Sequence, residues 1–160
     1  MPLVDHVDLV VSSIERSLPF YRELLGPLGW VGVTEERGER GETIHYLWGP
    51  DWGGALGLRE RPTEGDESAY DRYAIGLHHL AFEAPSRNAV DAAEEFARRN
   101  AELDGEAGER HYTPGYYAVF FFDPDGLKLE VVHRPRPFTL SFMRGLVRGA
   151  GSLAARRRRT

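Results

Sequence analysis

The sequence predicts an α+β fold in which the order strand, helix and three strands occurs twice. Apolar residues alternate at strand spacing, then recur at helix spacing, and the same switch returns in the second half of the chain. A constant offset of 73 residues also joins identical residues at equivalent places: His6 and His79, Ser13 and Ser86, Gly53 and Gly126, Leu56 and Leu129, and Arg61 and Arg134. These observations indicate two tandem βαβββ modules related by duplication.

The first predicted module spans residues 3–61. Its first strand, Leu3–Val11, has alternating apolar residues on one face and His6 on the other. A helix follows, because Ser12 and Glu15 have the spacing of a capping box. Pro19 is expected to kink this helix or to delay its start. Three further strands are expected near Trp30–Thr34, Glu42–Trp48 and Ala55–Arg59.

The second predicted module spans residues 76–134 and follows a polar linker, Pro62–Asp71. A strand is expected at Leu77–Ala84 and a helix at Ser86–Asn100. The sequence Asp123-Pro124-Asp125-Gly126 favours a tight turn in the last hairpin. The strands of this half are expected near Glu109–Thr113, Tyr116–Phe122 and Leu127–His133. Both modules belong to one predicted domain, residues 1–137, and a basic tail occupies residues 138–160.

The composition is that of a single globular domain. The chain has 160 residues, of which 41% are hydrophobic, and this is sufficient for one core. It contains no cysteine, which excludes disulfides, thiolate metal sites and a cysteine nucleophile. The amino-terminal stretch lacks the basic region of a secretory signal, and the longest apolar run is too short for a bilayer. We therefore expect a cytoplasmic protein without stable membrane insertion.

Charge is distributed unevenly along the chain. All 25 Asp and Glu residues precede position 131, whereas eight of the 20 Lys and Arg residues lie from Arg134 onward, so residues 1–133 carry −13 and residues 134–160 carry +8. An acidic body does not attract nucleic acid, and no nucleic-acid partner is expected. The basic cluster Arg156–Arg159 is typical of a solvated tail, and the alternative is a weak anchor for an anionic membrane or a partner.

Two histidines and one glutamate form the candidate metal site. His6 and His79 occupy the same position in the two modules, and each lies on the strand face opposite the apolar positions. In the last strand, Glu130 shares that face with Lys128 and Val132. Each residue alone is more typical of a structural or solvated group, but two imidazoles and a carboxylate together favour a divalent cation with open positions. Fe²⁺ suits this set best, and Mn²⁺, Ni²⁺, Co²⁺ and Zn²⁺ remain alternatives.

The chain resembles the vicinal oxygen chelate superfamily, which includes glyoxalase I, extradiol dioxygenases, fosfomycin resistance enzymes and bleomycin resistance proteins. The matching stretches lie within residues 3–134 and are Asp5–Val11, Phe20–Gly26, Leu77–Phe82 and Phe122–Glu130. The resemblance implies that the two modules form a cup-shaped mixed sheet around one metal ion. It places the family's ligand positions on His6, His79 and Glu130, and it implies a small substrate that chelates the metal through vicinal oxygens.

The resemblance leaves the reaction open. Glyoxalase I usually has a fourth ligand at the position of Gly57, which has no side chain to offer. Extradiol dioxygenases usually have a tyrosine at the position of Phe120 and a histidine at the position of His111. A lyase or isomerase and an extradiol-type dioxygenase therefore both remain. The alternative is a non-catalytic protein of the bleomycin-resistance type that sequesters an aromatic small molecule.

Four further residues are candidates for proton transfer or for orienting the substrate. They are His45 and Tyr46 in the first module, and His111 and Tyr117 in the second. His45 and Tyr46 are adjacent, as are Tyr116 and Tyr117, so one residue of each pair is expected to face the cup. Members of the superfamily are often dimers, some with exchanged modules. A homodimer is therefore an expectation, and the site is built either within one chain or across two.

Overall fold

The first module forms one mixed sheet with a helix on one side. The computed structural model describes residues 4–49, 54–62 and 70–135. Within the first two of these ranges the strands are ordered β1-β4-β3-β2; β1 pairs in parallel with β4, and the other pairs are antiparallel. The elements are β1 (His6–Val11), α1 (Ile14–Leu25), a 3₁₀ turn (Gly26–Leu28), β2 (Gly32–Arg37), β3 (Thr43–Trp48) and β4 (Ala55–Glu60).

The second module repeats this order, with β5 parallel to β9. Its elements are β5 (Leu80–Glu83), α2 (Arg87–Asn100), β6 (Glu102–Leu103), β7 (Gly108–Glu109), β8 (Tyr117–Phe122) and β9 (Lys128–His133). The prediction of a strand at Glu109–Thr113 is wrong. Two short strands, β6 and β7, pair with β8 instead. Gly105, whose φ of +101° favours glycine, lies in the turn between them.

The two helices begin at equivalent serines. The Ser13 side chain accepts a hydrogen bond from the Arg16 amide, and the Ser86 side chain accepts one from the Ala89 amide. These N-caps confirm the offset of 73 residues and correct the predicted cap at Ser12 by one residue. The first helix begins at Ile14 and continues through Pro19, so the proline does not delay its start.

One hydrophobic core joins both modules. Apolar residues of both sheets and both helices pack in the same cluster, where Phe20 of α1 meets Phe96 of α2 at 5.1 Å between ring centres. Polar contacts also cross between the modules: the Tyr21 hydroxyl donates to Asp123 at 2.7 Å, in the turn that precedes β9. The helix-bearing faces of both sheets therefore meet in one shared interior.

The face of each sheet that bears no helix is its open face. On the first sheet, Asp8 of β1 lies opposite Gly57 of β4, and His6 lies opposite Ala55. On the second sheet, Glu130 of β9 lies opposite Phe120 of β8. The two βαβββ modules are as predicted. Among the described residues no strand of one sheet pairs with a strand of the other, so the sheets do not close into a cup.

Three predictions fall on residues outside the described ranges. They concern the basic tail at residues 138–160, Gly53, and the central part of the linker. Among the helices within residues 4–49, 54–62 and 70–135, none combines the length and the apolar character needed to cross a bilayer.

Candidate metal site

Glu130 and His79 form a pair on the second sheet. Their Oε2 and Nε2 atoms lie 3.2 Å apart, because the register of β5 with β9 brings the start of one strand beside the other. Only 2% of Glu130 is exposed, whereas 37% of the His79 side chain is exposed. Two donor atoms that share one cation at bonds of 2.0–2.2 Å lie about 3.0–3.4 Å apart, so this separation suits metal ligation.

Tyr116 holds the other oxygen of Glu130. Its hydroxyl donates to Oε1 at 2.5 Å. Burial, with the hydrogen bond to Glu130 in second place, raises the pKa of Tyr116 well above its ordinary value. The phenol therefore keeps its proton at neutral pH and remains a donor, which leaves Oε2 directed at His79.

Tyr117, one of the two tyrosines predicted for the site, lies on the opposite face of β8. Its hydroxyl donates to Asp91 of α2 at 2.7 Å, and this bond raises the pKa of Tyr117. The antiparallel register pairs Phe120 with Glu130, so Tyr116 and Glu130 share the open face. The strand alternation shows that Tyr116 and Tyr117 face opposite sides, but the register of β8 with β9 is needed to tell which of them shares the face of Glu130.

His6 begins β1 on the other sheet. Its Nδ1 atom lies 2.8 Å from the Asp5 carboxylate, and 51% of its side chain is exposed. The hydrogen bond with Asp5 is the largest cause of the raised pKa of His6. With Nδ1 held, Nε2 is the nitrogen left to bind a metal.

All three predicted ligands are held by a neighbour through the atom they would not use. Asp5 holds Nδ1 of His6, Tyr116 holds Oε1 of Glu130, and the His78 ring nitrogen lies 2.8 Å from Nδ1 of His79. Metal-binding histidines and carboxylates in proteins are oriented by such outer contacts. The residue types and their outer contacts are therefore those expected of ligands to a divalent cation.

The three ligands do not come together within one chain. The described residues contain no group of three or more His, Cys, Asp or Glu side chains that is arranged to hold a metal ion. His79 and Glu130 are paired on the second sheet, and His6 is on the first. One chain thus supplies two parts of the predicted site at separate places.

The three other predicted residues, Tyr46, His45 and His111, have different surroundings. Tyr46 faces the open side, with its ring edge-on to His6 at 5.9 Å, whereas the neighbouring His45 lies on the opposite face and has Glu35 at 3.4 Å. His111 is exposed in the loop before β8, where its ring lies 5.0 Å from that of Tyr112.

The family model of the Glyoxalase/Bleomycin resistance protein/Dioxygenase superfamily matches residues 3–131. The chain belongs to this superfamily. The match covers nearly all of both modules and confirms the resemblance to this superfamily.

Three similar proteins match this chain along nearly their whole length. The Bacillus subtilis (strain 168) protein YqjT is 33% identical over 132 residues, which cover 79% of this chain and 95% of YqjT. A solved glyoxylase/bleomycin resistance protein/dioxygenase domain from Frankia sp. EAN1pec is 26% identical, with a TM-score of 0.68 over 84% of this chain and 99% of that one. A glyoxalase/bleomycin resistance protein from Albidiferax ferrireducens T118 is 27% identical, with a TM-score of 0.64 over 81% and 98%.

The space that a side chain at Gly57 would need is filled by a neighbouring carboxylate. A Cβ atom built on Gly57 would lie 2.2 Å from Oδ1 of Asp8 and 2.8 Å from the Tyr46 ring. The Tyr46 hydroxyl lies 3.4 Å from Oδ2 of Asp8, and burial, followed by the charge of Asp8, raises the pKa of Tyr46. The alternation in β1 places Asp8 on the same face as His6.

Proposed function

We propose that this protein is a metal-dependent enzyme acting on a small substrate that chelates a divalent cation through vicinal oxygens. His6, His79 and Glu130 would hold the cation, with Fe²⁺, Mn²⁺, Ni²⁺, Co²⁺ and Zn²⁺ as candidates. The observation that carries the proposal is the support of each ligand by Asp5, His78 or Tyr116. When bound, the metal supplies a Lewis acid that polarises substrate oxygens.

The site would be completed by a second copy of the chain. Both sheets turn their helix-bearing faces to one core, and His6 is separate from the pair of His79 and Glu130. A two-fold dimer brings the first sheet of each chain to the second sheet of the other, so each of two sites takes His6 from one chain and the pair from its partner. The proposed state is therefore a homodimer.

The residues around the ligands would orient the substrate and exclude water. Tyr116 keeps Glu130 in place, Tyr46 lies beside His6, and Phe120 pairs with Glu130 across β8 and β9. Within the proposal, the reaction is either a lyase or isomerase step or an extradiol-type oxygenation. Oxygen consumption with catechols supports the oxygenase, and isomerisation of a thiohemiacetal supports the lyase or isomerase.

Metal content measured on tag-free protein by elemental mass spectrometry tests the proposal. We expect about one cation per chain after incubation with each candidate metal, and a loss of that metal in Glu130→Ala. Glu130→Gln is the matched variant, because it keeps the shape of the side chain and removes its charge. Absence of retained metal together with absence of uptake by the apo protein would contradict the proposal.

Tyr116→Phe is expected to weaken metal affinity about 10-fold to 100-fold, the usual effect of losing an outer hydrogen bond to a ligand. Competition with a metal chelator measures this change. Tyr117→Phe is the control, because it removes a hydroxyl from the adjacent residue on the helix-bearing face, where Asp91 is its partner. Equal affinities of the two variants would show that Tyr116 does not support a ligand.

A binding protein for an aromatic small molecule is the second candidate. Tyr46 and Trp48 lie side by side on the open face of the first sheet, with ring centres 6.2 Å apart. Such a surface suits a planar ligand through stacking. Ligand binding that survives chelator treatment and the substitution His79→Ala would favour this candidate over the enzyme.

A further inference from the structure

Two arginines lie on either side of Tyr116 on the open face of the second sheet. The Arg110 amide donates to the Tyr116 carbonyl at 2.8 Å, where the pairing of β7 with β8 continues by one residue. On the other side, β8 and β9 pair Tyr117 with His133, so the next residues along these strands, Tyr116 and Arg134, lie opposite each other. Residues that lie opposite each other in paired strands share a face of the sheet. Arg110 and Arg134 therefore share the open face with Tyr116.

Both guanidinium groups lie against aromatic rings next to Glu130. The Arg134 guanidinium is 5.9 Å from the centre of the Tyr116 ring, and the hydroxyl of that ring donates to Glu130. The Arg110 guanidinium is 5.5 Å from the centre of the Phe120 ring, and Phe120 pairs with Glu130 in the register of β8 with β9. Attraction between a cation and an aromatic face holds such groups in place. Each cation is therefore one aromatic side chain away from Glu130.

Neither guanidinium is paired with a carboxylate in the part of the chain that the structure describes. Arg110 donates to the main-chain carbonyls of Glu106 and Ala118, at 2.7 Å and 3.3 Å. Both bonds use the same terminal nitrogen, so the other one remains available. Arg134 is exposed, and its contact with the Tyr116 ring leaves its nitrogens available as well.

The other two cations near these rings have a carboxylate partner. Lys128 and Arg72 both pair with Asp104, at 2.5 Å and 3.5 Å. No Asp or Glu occurs after Glu130 in the sequence, so the segment that follows β9 brings no side-chain carboxylate to Arg134. A guanidinium offers several fixed donors to a planar carboxylate. Two guanidinium groups without a countercharge are thus suited to an anionic ligand.

The phenol of Tyr116 spans the distance between Arg134 and Glu130. These two residues are four apart along extended backbone, which corresponds to about 13 Å between their Cα atoms. The Tyr116 ring contacts Arg134, and its hydroxyl bonds to Glu130. A ligand that chelates a cation held by Glu130 would therefore reach Arg134 across about the length of one six-membered ring.

We propose that Arg110 and Arg134 bind a carboxylate at the end of the substrate that lies away from its chelating oxygens. This inference rests on the proposed metal-dependent function and names its substrate class, which is a small vicinal-oxygen chelator with a negatively charged end. The two arginines orient the substrate and determine specificity, while the chelating oxygens and the reacting atoms lie at the cation. Neither arginine is a ligand of the metal.

A matched pair of catechols tests the proposal on the full-length protein loaded with Zn²⁺. Protocatechuate carries a carboxylate, and protocatechuamide has nearly the same shape without the charge. Both chelate through two vicinal oxygens, and Zn²⁺ has no redox chemistry that would consume them. Because charge-assisted hydrogen bonds are formed only with the carboxylate, calorimetry is expected to show protocatechuate binding about 10-fold to 100-fold more tightly.

Arg134→Gln and Arg110→Gln are each expected to reduce this preference, and the double variant is expected to bring it below about twofold. Affinity for the amide and the Zn²⁺ content are expected to stay unchanged, because neither arginine contacts the chelating oxygens or the metal. Arg99→Gln is the control. It removes the same charge from an exposed position at the end of α2, on the helix-bearing side, and is expected to keep the preference.

The outcomes separate this inference from the proposed function. Equal affinity of the wild-type protein for the two catechols would overturn the inference alone, because chelation is then retained without recognition of charge. Equal losses for both catechols in the double variant would also overturn it, since they would assign the arginines to the fold or to the subunit contact. Protein that takes up no Zn²⁺, or that takes it up and binds neither catechol, would contradict the proposed function itself.

Discussion

Subunits carrying His6→Ala and subunits carrying Glu130→Ala are each expected to bind no metal alone and to regain binding when combined. In a dimer with shared sites, one site of the mixed dimer contains both substitutions and the other contains none. The intact site takes its His6 from the Glu130→Ala chain and its His79 and Glu130 from the His6→Ala chain. Recovery is expected because the structure does not group His6 with the other two proposed ligands.

The proposed dimer also predicts how much metal binding is recovered. Random exchange makes about half of the dimers mixed, and each mixed dimer has one intact site, so the mixture should hold about one cation per four chains. Mixed dimers purified through two different tags should hold about one cation per two chains. Elemental mass spectrometry measures both values. The matched control combines His79→Ala with Glu130→Ala, since these residues lie in the same half of the site and every site then keeps a defect. Absence of recovery in the first mixture would place the site within one chain.

The duplication made much of this architecture predictable from the sequence. The offset of 73 residues located equivalent serines, and both are N-caps in the structure. The alternation in β1 correctly placed His6 on the face away from the core, since Leu9 and Val11 are buried and His6 is exposed. Local periodicity was sufficient in these cases, because each depends on residues close together in the chain.

Features that depend on contacts between distant strands were not predictable. Tyr116 and Tyr117 are adjacent, and a shift of one residue in the register of β8 with β9 exchanges their faces. The contact between the Asp8 carboxylate and Gly57 was not predicted for a related reason, because it follows from pairing across two strands. The helix-bearing faces of both sheets share one core, and this packing is also absent from the local pattern.

Asp123 illustrates the same point, because the sequence indicated only its role in a turn. In the structure its carboxylate is 7% exposed and accepts three hydrogen bonds. The donors are the Tyr21 hydroxyl at 2.7 Å, the Leu127 amide at 2.8 Å and the Asp125 amide at 2.9 Å. Burial raises the pKa of Asp123, and these hydrogen bonds oppose the rise. The residue thus closes the last hairpin and joins it to α1.

Asp123→Ala is expected to lower the free energy of unfolding by about 3 kcal/mol, because it leaves a buried hydroxyl and two amides without an acceptor. The corresponding fall in Tm is about 6–12 °C for a chain of this size. Asp123→Asn is expected to cost much less, since the amide oxygen still accepts from the two backbone groups and the amide nitrogen donates to Tyr21. Chemical denaturation of metal-free protein measures each variant without a contribution from metal binding.

Asp125→Ala provides the matched control for this prediction. Asp125 also joins the turn to the first module, where it accepts from the Ser12 amide at 2.9 Å and pairs with Arg16 at 2.7 Å, but its side chain is 22% exposed. Water can replace some of the hydrogen bonds that this carboxylate accepts, so its removal is expected to lower the free energy of unfolding by about 1 kcal/mol. An Asp123→Ala variant no less stable than Asp125→Ala would show that burial of the Tyr21 and Asp123 pair does not hold the modules together. The expected difference would make this pair the more important of the two polar contacts between the modules, and the packing of the modules sets where His6 lies relative to the proposed ligands His79 and Glu130.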